Sequence, residues 1–444
     1  MSKFKYVDLF CGIGGFHQAM KQLDGECVYA CDINAACREV YKNNFCKNDE
    51  FEIGKDIKKA VEDNSIPPFD VLCGGFPCQT FSKAGKRNGF DVVTDDNGNV
   101  TDDRGQLFYR IIDILKQHPE CKYVILENVR NLADNEKNWN IVCSKLKELD
   151  FIVTEEPIIE SPHNFGIPQA RERVYILGIK KDFIDKRKKL PQGYITREIL
   201  NIDKFHKKCP NNSIELIIEK DVDEKYYLTN DLSELLDIWQ EFKDNVNQMK
   251  TPIWLHKAGI GIDSRYDYEN DSVIGYKDMK DWKKALVMKS RTVYENNREF
   301  VDEWVNKYHM LDRSLLHQKF EWNVGNDCDV IKEGIIQIRQ SGIRLKRPNY
   351  FPSLVAMSNT PIIWDDNVQK YRYITPREAA KLQSFNSNYI FSESDSITYR
   401  QLGNSVNVKL IKLFAESLFN LGKNFNSIVY KQKLKGSKIN GEKN

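Results

Sequence analysis

The sequence lacks several features that mark specialised classes of protein. Its 11 cysteines form no CxxC pair, so neither a zinc site nor a disulfide framework is indicated, and we expect most of them to be packing residues. No apolar stretch is long enough to span a bilayer and no apolar signal segment follows Met1, which predicts a cytoplasmic protein. The formal net charge of +2 does not identify a nucleic-acid partner, because binding depends on local clusters of charge.

The chain is long enough for more than one domain. Hydrophobic residues make up 41% and charged residues 29% of its 444 residues, which is ordinary for a globular protein with a large core. From Lys180 onward the hydrophobic periodicity weakens, basic clusters appear, and five of the seven tryptophans fall between Trp239 and Trp322. We expect a second domain here, with these aromatic side chains in its core rather than on a base-stacking surface.

One buried strand is expected to end at a reactive position. The short apolar run of residues 71–73 fits an interior strand of a parallel sheet, and the sequence GGFP at residues 74–77 breaks it. Ligands bind at the carboxyl ends of such strands, so Cys78 is placed to react with one. The alternative is a small buried cysteine that serves only in packing, which is the fate of most cysteines.

A glycine-rich turn follows the first expected strand. Gly12, Gly14 and Gly15 precede a helix-like stretch, where the backbone can approach a ligand closely, although such a pattern is also common in simple tight turns. A second apolar run at residues 27–31 ends at Asp32, roughly where a carboxylate holds a ribose hydroxyl in nucleotide-binding βαβ units. Together the two features favour a cofactor that contains a ribose.

Further strands and helices alternate in a βαβα order. The apolar strand of residues 123–129 carries Glu127 at the sheet edge that is expected to hold Cys78. Arg171 and Arg173 lie on one side of a later extended run. Taken alone, this pair of arginines fits a solvated strand face better than a binding site.

The region between residues 79 and 104 is rich in Gly, Asn and Asp and is too long for an ordinary connection, which predicts a mobile functional loop. A calcium site is not expected in it. Setting Gly98 at the glycine position of a calcium loop would put Val93 at the first ligand and Arg104 at the last, and neither side chain binds calcium. We predict no metal site elsewhere in the chain.

The order of six motifs resembles that of the DNA (cytosine-5) methyltransferases. The motifs are DLFCGIGGF at residues 8–16, GFPCQ at 75–79, ENV at 127–129, QARER at 169–173, REAAKLQ at 377–383 and GNSV at 403–406. The resemblance implies an α/β protein with a doubly wound, mostly parallel sheet that binds S-adenosylmethionine, and a smaller target-recognition domain. It also implies methyl transfer to carbon-5 of a cytosine that is flipped out of a specific duplex DNA sequence.

The resemblance implies roles for individual side chains. Cys78 would add to carbon-6 of the cytosine, Glu127 would contact N3 and the 4-amino group, and Arg173 would contact O2 with Arg171 nearby. Cofactor contacts are implied for Phe10, Gly12, Ile13, Gly15, Asp32, Ile33, Asp56, Ile57, Pro77, Asn404 and Val406. DNA-backbone contacts are implied for Gln79, Ser82, Lys83, Lys86 and Arg104.

The sequence departs from the family pattern in two kinds of place. Ile33 stands where some members have an aromatic residue against adenine, and Asn386 follows Phe385 where proline is common. The loop after Cys78 also carries acidic residues that would repel phosphate, and we expect them to point away from DNA. These residues are Asp91, Asp95, Asp96, Asp102 and Asp103.

The resemblance also suggests how the chain is divided. We assign residues 1–184 to the catalytic and cofactor-binding domain, residues 185–370 to target recognition, residues 371–422 to a return to the first domain, and residues 423–444 to a poorly ordered Lys- and Asn-rich tail. In the second domain, Arg344 and Arg347 are candidates for contact with DNA, and a solvated face is nearly as good an explanation of their cluster.

Three other functions are compatible with parts of this pattern. A tRNA methyltransferase of the same family would lack the long region between the two sets of motifs, and a catalytically silent DNA-binding homologue would have lost Cys78 or Glu127. A dinucleotide-dependent oxidoreductase has a similar βαβ opening but a different glycine spacing. We therefore expect a monomeric enzyme that acts on duplex DNA, with any cognate restriction endonuclease acting as a separate protein. The recognition sequence is not encoded in a readable pattern.

Overall fold

The computed structural model describes residues 4–46, 53–77, 89–91, 93–94, 100–187, 190, 193–246, 252–262, 266–270, 275–355 and 359–423. The chain forms two compact units, one of Met1–Cys209 with Ala380–Asn444 and one of Pro210–Ala379. No helix among the described residues has both the length and the hydropathy that are needed to cross a membrane. All but the first residue of the tail that was predicted to be poorly ordered lies outside the described residues.

The first unit contains a mixed sheet with helices. The strands in its first part are β1 (Phe4–Leu9), β2 (Gly25–Cys31), β3 (Val71–Gly74), β4 (Val93–Thr94), β5 (Val100–Asp102), β6 (Tyr123–Val129), β7 (Phe151–Val153), β8 (Ile158–Glu160), β9 (Gln169–Ala170) and β10 (Arg173–Lys180). The helices are α1 (Gly15–Lys21), α2 (Ala35–Phe45), α3 (Ile57–Glu62), α4 (Leu107–Gln117), α5 (Asn131–Asp134), α6 (Glu136–Lys147) and α7 (Arg197–Leu200).

The strand order of the sheet is β2-β1-β3-β6-β10-β7, with β8 also paired to β10. β1 pairs in parallel with β2 and β3, and β3 pairs in parallel with β6, whereas β10 is antiparallel to its described neighbours. The apolar strands β3 and β6 are buried almost throughout, as expected for interior strands that are covered on both faces. The prediction of an α/β protein with a mostly parallel sheet is confirmed.

Several strands end at one edge of this sheet. Leu9 of β1 is level with Gly74 of β3, and Gly74 is level with Leu126 of β6. The antiparallel β10 begins at the same edge, because Arg173 is paired with Val129. Residues that follow β1, β3 and β6 and residues that precede β10 are therefore brought together, although they are far apart in the sequence.

The second unit contains a different sheet and three long helices among its described residues. The helices are α8 (Asn230–Asn245), α9 (Asp281–Asn296) and α10 (Arg298–Tyr308). The strands are β11 (Ile253–Trp254), β12 (Lys319–Asn323), β13 (Ile335–Arg339), β14 (Gly342–Lys346), β15 (Phe351–Pro352), β16 (Ile362–Asp365) and β17 (Lys370–Tyr373). The sheet has the order β11-β12-β14-β13-β16-β17.

Most of the tryptophans in this unit belong to its core. Trp239 and Trp304 are fully buried and contact each other, Trp239 also contacts Phe320, and Trp322 is nearly buried. Trp254 and Trp364 are half-buried, and Trp282 on α9 is 59% exposed. The prediction that these aromatic side chains lie in the core is therefore confirmed for Trp239, Trp304 and Trp322 and is wrong for Trp282.

A buried ionic network explains the glutamate in the REAAKLQ motif. Both Nη groups of Arg372 donate to the carboxylate of Glu378 at 2.8 Å, and its Nε donates to Asp365 at 2.7 Å. Glu378 also accepts the backbone N–H groups of Thr375 and Glu219, each at 2.8 Å. Arg372 and Glu378 are completely buried. The Glu378 carboxylate therefore joins the end of this unit to Glu219, which lies 159 residues earlier in the sequence.

The chain then continues through α11 (Pro376–Leu382), which contains the boundary between the units, to α12 (Asp395–Asn404) and α13 (Val408–Phe419). α13 carries a continuous apolar face and packs in the first unit, where Phe419 contacts Phe4 and Tyr123. The GNSV motif at residues 403–406 spans the end of α12 and the start of the link to α13. The last part of the described chain thus belongs to the same unit as the first.

Candidate active site

The glycine turn after β1 forms an open cradle. Phe10 and Gly12 have positive φ values of 54° and 53°, a conformation that is strained for Phe10 and easy for glycine. A Cβ atom on Gly12 would meet no other atom within 4 Å, so the backbone faces free space at this point. The turn therefore offers backbone groups to a ligand at the edge of the sheet.

Two acidic side chains hold the neighbouring loops. The carboxylate of Asp32 accepts the N–H of Gly12 at 2.9 Å and the N–H of Asn34 at 2.8 Å, and burial raises its pKa. Asp56 precedes α3 and accepts the N–H of Lys58 at 2.9 Å, which is an ordinary N-cap. Asp32 thus fixes the turns that follow β1 and β2, and Asp56 fixes the start of α3.

The segment that leads to Cys78 is fastened to β6. The side-chain Nδ2 of Asn128 donates to the carbonyl of Phe76 at 3.1 Å, and its Oδ1 accepts the N–H of Val129 at 2.8 Å. Asn128 is nearly buried, so these hydrogen bonds are protected from water. The middle residue of the ENV motif therefore fixes the backbone two residues before Cys78.

Glu127, Arg171 and Arg173 form the charged wall of the site. Glu127 Oε1 lies 3.1 Å from Arg173 Nε, and the Glu127 residue is only 8% exposed. Burial raises the pKa of the Glu127 carboxyl, and the charges of Arg173 and Arg171 oppose this shift without cancelling it. The carboxyl therefore holds a proton at higher pH than an exposed glutamate does.

The GNSV motif closes the site from the C-terminal side. Arg171 Nη2 donates to the carbonyl of Ser405 at 2.7 Å, and the Arg171 N–H donates to Ser161 Oγ at 2.8 Å. A Cβ atom on Gly15 would lie 2.7 Å from Val406 Cγ2 and 3.2 Å from the Val406 carbonyl. The third glycine of the turn is therefore required for the close approach of this C-terminal segment.

These residues surround one cavity of about 450 Å³. Of the residues proposed for catalysis, Glu127, Arg171 and Arg173 line it. The proposed cofactor contacts that line it are Phe10, Gly12, Gly15, Asp32, Ile33, Asp56, Ile57, Pro77, Asn404 and Val406. The arrangement brings the motifs of both ends of the chain to one place.

Some of the predicted residues lie elsewhere. Ile13 is buried and does not line the cavity, and its carbonyl accepts a hydrogen bond from the hydroxyl of Tyr389. Arg104, predicted to contact the DNA backbone, is exposed and lines the cavity. Several predicted residues lie outside the described part of the chain, namely Cys78, Gln79, Ser82, Lys83 and Lys86.

The long loop after Cys78 is described only in part. Phe90 is buried against Phe108, and the side chain of Gln106 donates to the Phe90 carbonyl. β4 and β5 pair as a short antiparallel hairpin. Of the acidic residues expected to point away from DNA, Asp91 is exposed and Asp103 forms a 2.6 Å ion pair with Lys58, while Asp95, Asp96 and the side chain of Asp102 are outside the described part.

The cavity also has wall residues that sequence reasoning missed. Among these are Lys58, Asp103, Leu107 and Gln401. The first two lie at helix and loop ends with no motif of their own, and Leu107 follows the acidic loop. Only their position next to recognised motifs could have indicated them.

The cavity fits S-adenosylmethionine. The open backbone at Gly12 leaves room for a ligand, and the Asp32 carboxylate stands on the wall as an acceptor for hydroxyl groups. Ile33, on the same wall, is 82% exposed, and a large apolar side chain so exposed suits a flat apolar ring such as adenine. The residues present thus match the polar and apolar parts of this cofactor.

Comparison with known proteins agrees with this geometry. The family model described as C-5 cytosine-specific DNA methylase matches residues 4–420. The Type II methyltransferase M.BanI of Aneurinibacillus aneurinilyticus is 30% identical over 94% of this chain and 96% of its own length. The Type II methyltransferase M.AluI of Cellulosimicrobium cellulans is 27% identical over 93% of this chain and 91% of its own length.

The fold has a match among solved structures. The S. pombe Dnmt2 methyltransferase superposes with a TM-score of 0.52 at 18% sequence identity, over 94% of this chain and 99% of that chain. This likeness concerns the fold alone. The family model covers nearly all of the described residues, and the chain therefore belongs to the C-5 cytosine-specific DNA methylase family.

Proposed function

We propose that the chain methylates carbon-5 of a cytosine in a specific duplex DNA sequence through a covalent bond to Cys78. Its family is that of the DNA cytosine-5 methyltransferases, which use S-adenosylmethionine as methyl donor. The observation that carries the proposal is that Glu127 and Arg173 share one cavity with the glycine turn and with Pro77, the neighbour of Cys78. The family match does not favour a tRNA substrate or a silent homologue.

The proposed chemistry starts with addition at carbon-6. Carbon-5 of cytosine is a poor nucleophile until a thiolate adds to carbon-6, and Cys78 is the proposed nucleophile. Addition pushes negative charge toward N3 and O2 of the ring, which must be met by a proton and by a cation. Glu127 and Arg173, held 3.1 Å apart, supply both on one wall.

Glu127 is suited to share a proton with the base. Burial raises the pKa of its carboxyl, so the neutral acid persists further toward neutral pH than it would in water. In that form Glu127 donates to N3 while its other oxygen accepts from the 4-amino group. Arg173 stabilises the charge that develops at O2, and Arg171 keeps the C-terminal segment in place through Ser405.

The cofactor supplies an electrophilic methyl group on its sulfonium. Addition of Cys78 makes carbon-5 nucleophilic enough to take this methyl group. Loss of the carbon-5 proton then returns the electron pair to the ring and releases the Cys78 thiolate, so the enzyme is regenerated. Asn128 holds the backbone before Cys78, which would keep the nucleophile on the correct face of the base.

The substrate must be extruded from the helix before this reaction. A base stacked in duplex DNA hides carbon-6, and flipping it out costs a few kcal/mol. We propose that Gln79, Ser82, Lys83, Lys86 and Arg104 contact the DNA backbone during this step. Target recognition is assigned to the second domain, including Arg344 and Arg347, and the enzyme is proposed to act as a cytoplasmic monomer, separate from any cognate endonuclease.

Bisulfite sequencing of a plasmid grown with the expressed protein tests the proposal. The expected result is protected cytosines at one repeated sequence and nowhere else. Protection without a common sequence would contradict specific recognition, and no protection by soluble, folded protein would contradict the activity itself.

Glu127→Gln is expected to lower kcat by about a hundredfold, because the amide keeps the size of the side chain but cannot transfer a proton to N3. In the wild type, the raised pKa of Glu127 means that its acid form is lost as pH rises, so kcat should fall on the alkaline side. This alkaline fall should be absent in the variant. Single-turnover methylation measured across pH checks both expectations.

Glu172→Gln is the matched control, since Glu172 is an exposed neighbour whose carboxylate pairs with Arg130. Its kcat and pH profile should follow those of the wild type. An unchanged pH profile in Glu127→Gln would argue against a proton-sharing role for this carboxyl.

Asp32→Ala is expected to weaken the binding of S-adenosylmethionine by at least about tenfold, because the loss of one charge-assisted hydrogen bond amounts to about 1.5–3 kcal/mol. The loss includes the hold of Asp32 on the Gly12 loop. Isothermal titration of the cofactor in the absence of DNA measures it directly. Glu39→Ala on the exposed side of α2 is the control, and equal affinities for the two variants would remove Asp32 from the cofactor site.

A further inference from the structure

One face of the sheet in the second unit is polar and basic. Side chains alternate along strands, and most apolar members of β12, β13 and β14 face the core of the unit, whereas the buried Ile335 lies on the opposite side, paired with Lys346. The opposite polar members form what we call the basic face. They are Lys319, Glu321, Gln337, Arg339, Arg344 and Lys346.

Glu321 organises this face. Its Oε1 lies 2.7 Å from Lys319 Nζ, and its Oε2 accepts Nη2 of Arg339 at 3.0 Å and Nε of Arg344. Burial would raise the pKa of the Glu321 carboxyl, but the hydrogen bonds from Lys319 and Arg344 outweigh burial and lower it. Glu321 is therefore a charged anchor at the centre of three cations.

The basic face has more cationic side chains than carboxylates. Three cations pair with one carboxylate, and a fourth cation on the same face, Lys346, forms no ion pair within the part of the chain that is described. Burial and the charges of Arg344 and Arg339 lower the pKa of Lys346, and burial and Arg344 likewise lower that of Arg339. Half-buried cations that repel one another are unfavourable unless a partner supplies acceptors.

The two terminal Nη groups of the Arg344 guanidinium, which we call its fork, are available to a ligand. Its Nε is occupied by Glu321, whereas within the described residues neither Nη group has a hydrogen-bond partner or is closed off from solvent. The side chain is 30% exposed, and its neighbours across the strands are Glu321 and Gln337. Two parallel N–H groups in a fixed orientation match the O6 and N7 acceptors of guanine in the major groove.

We propose that Arg344 reads a guanine of the target sequence in the major groove, and that Glu321 is a positioning residue that aims its fork. The proposal rests on the proposed function, since it requires the second unit to recognise duplex DNA. It assigns to Arg344 a readout of one base rather than a general attraction to phosphate. Arg347 differs, because its guanidinium pairs with the exposed Asp327 and lies outside the Glu321 cluster.

Arg344→Lys is the first test, because it keeps the charge and removes the fork. Methylation of a plasmid library with randomised sites should show discrimination against other bases falling by about ten- to a hundredfold at one guanine position. Affinity for non-cognate DNA over a salt series should stay unchanged. Glu321→Gln should relax the same position, since the fork loses its anchor.

Arg344→Gln gives a second, directional test. Glutamine pairs with the N6 and N7 edge of adenine, so the preference at that position should move from guanine toward adenine. Arg313→Lys is the matched control, since Arg313 donates to the carbonyl of Tyr308 and is not part of the basic face. It should retain the wild-type target, and thermal unfolding of each variant separates lost folding from lost recognition.

Three results would decide against the proposal. Relaxation at no position, or at a position that is not guanine, would remove Arg344 from base readout. Equal weakening for cognate and non-cognate DNA, with a shallower salt dependence, would make Arg344 a phosphate contact. Absence of methylation by the wild type would instead refute the proposed function, which makes the two failures distinguishable.

Discussion

Replacement of Cys78 by serine is expected to lower the rate of DNA methylation by at least about a thousandfold. A serine hydroxyl is almost fully protonated at neutral pH and is a far weaker nucleophile than a thiolate, so carbon-6 would not be attacked. Binding of S-adenosylmethionine and of DNA should be largely retained, because the cavity wall formed by the other motifs is unchanged. Transfer of a labelled methyl group in a single turnover measures the rate.

Cys209→Ser is the matched control, since Cys209 is half-buried in the same unit and does not line the cavity. DNA with 5-fluorocytosine at the target provides a direct test of the bond, because fluorine cannot leave carbon-5 as a proton does. Wild-type enzyme with cofactor should form a complex that survives denaturation, and Cys78→Ser should form none. Near-normal turnover by Cys78→Ser would end the covalent mechanism.

Glu378→Gln is expected to reduce the free energy of unfolding of the second unit by about 3–5 kcal/mol. The amide removes one partner from Arg372, which is fully buried and is held by Glu378 and Asp365. The same change removes a carboxylate that accepts the N–H groups of Thr375 and Glu219. Arg372 would keep Asp365 but lose the charged partner of both Nη groups, and a buried guanidinium with one carboxylate fewer costs more than the loss of neutral hydrogen bonds.

Tryptophan fluorescence during chemical denaturation follows this unit, since six of the seven tryptophans lie between Pro210 and Ala379. Asp327→Asn is the control, because the pair of Asp327 with Arg347 is exposed on both sides and such pairs contribute about 0–1 kcal/mol. Equal effects of the two substitutions would mean that the buried network adds no more than a surface pair does.

Much of the first unit follows from local sequence. The strand that contains Glu127 and the strand that precedes Cys78 are continuous apolar runs, and their carboxyl ends meet because parallel neighbours share an edge. The glycine turn and Asp32 are also local signals, and the hydrogen bond from the Gly12 N–H to Asp32 shows that the two lie side by side. Short stretches of sequence are therefore enough to predict these strands and the side chains at their ends.

Other parts depend on pairings that leave no periodic signal. Glu378 pairs with Arg372 and also accepts the N–H of Glu219, which lies 159 residues away in the sequence. The Glu321 anchor of Arg344 is likewise fixed by the register of two strands that are neighbours only in space. Ile53 ends a short apolar run, and the residue after it, Gly54, forms only an isolated bridge with Cys31. Short apolar runs do not distinguish such a bridge from a strand.

The cavity needs residues from the end of the chain, since Ser405 bonds Arg171 and Val406 packs against Gly15. This requirement determines when during synthesis the cavity can form. A ribosome synthesises the chain from the N-terminus, and the whole second unit is made between the two groups of residues that form the cavity. A nascent chain that ends before residue 403 lacks the GNSV wall. Incomplete translation products therefore carry Cys78, the proposed nucleophile, without a finished cavity wall, and we expect methylation to begin only after nearly the whole chain has left the ribosome.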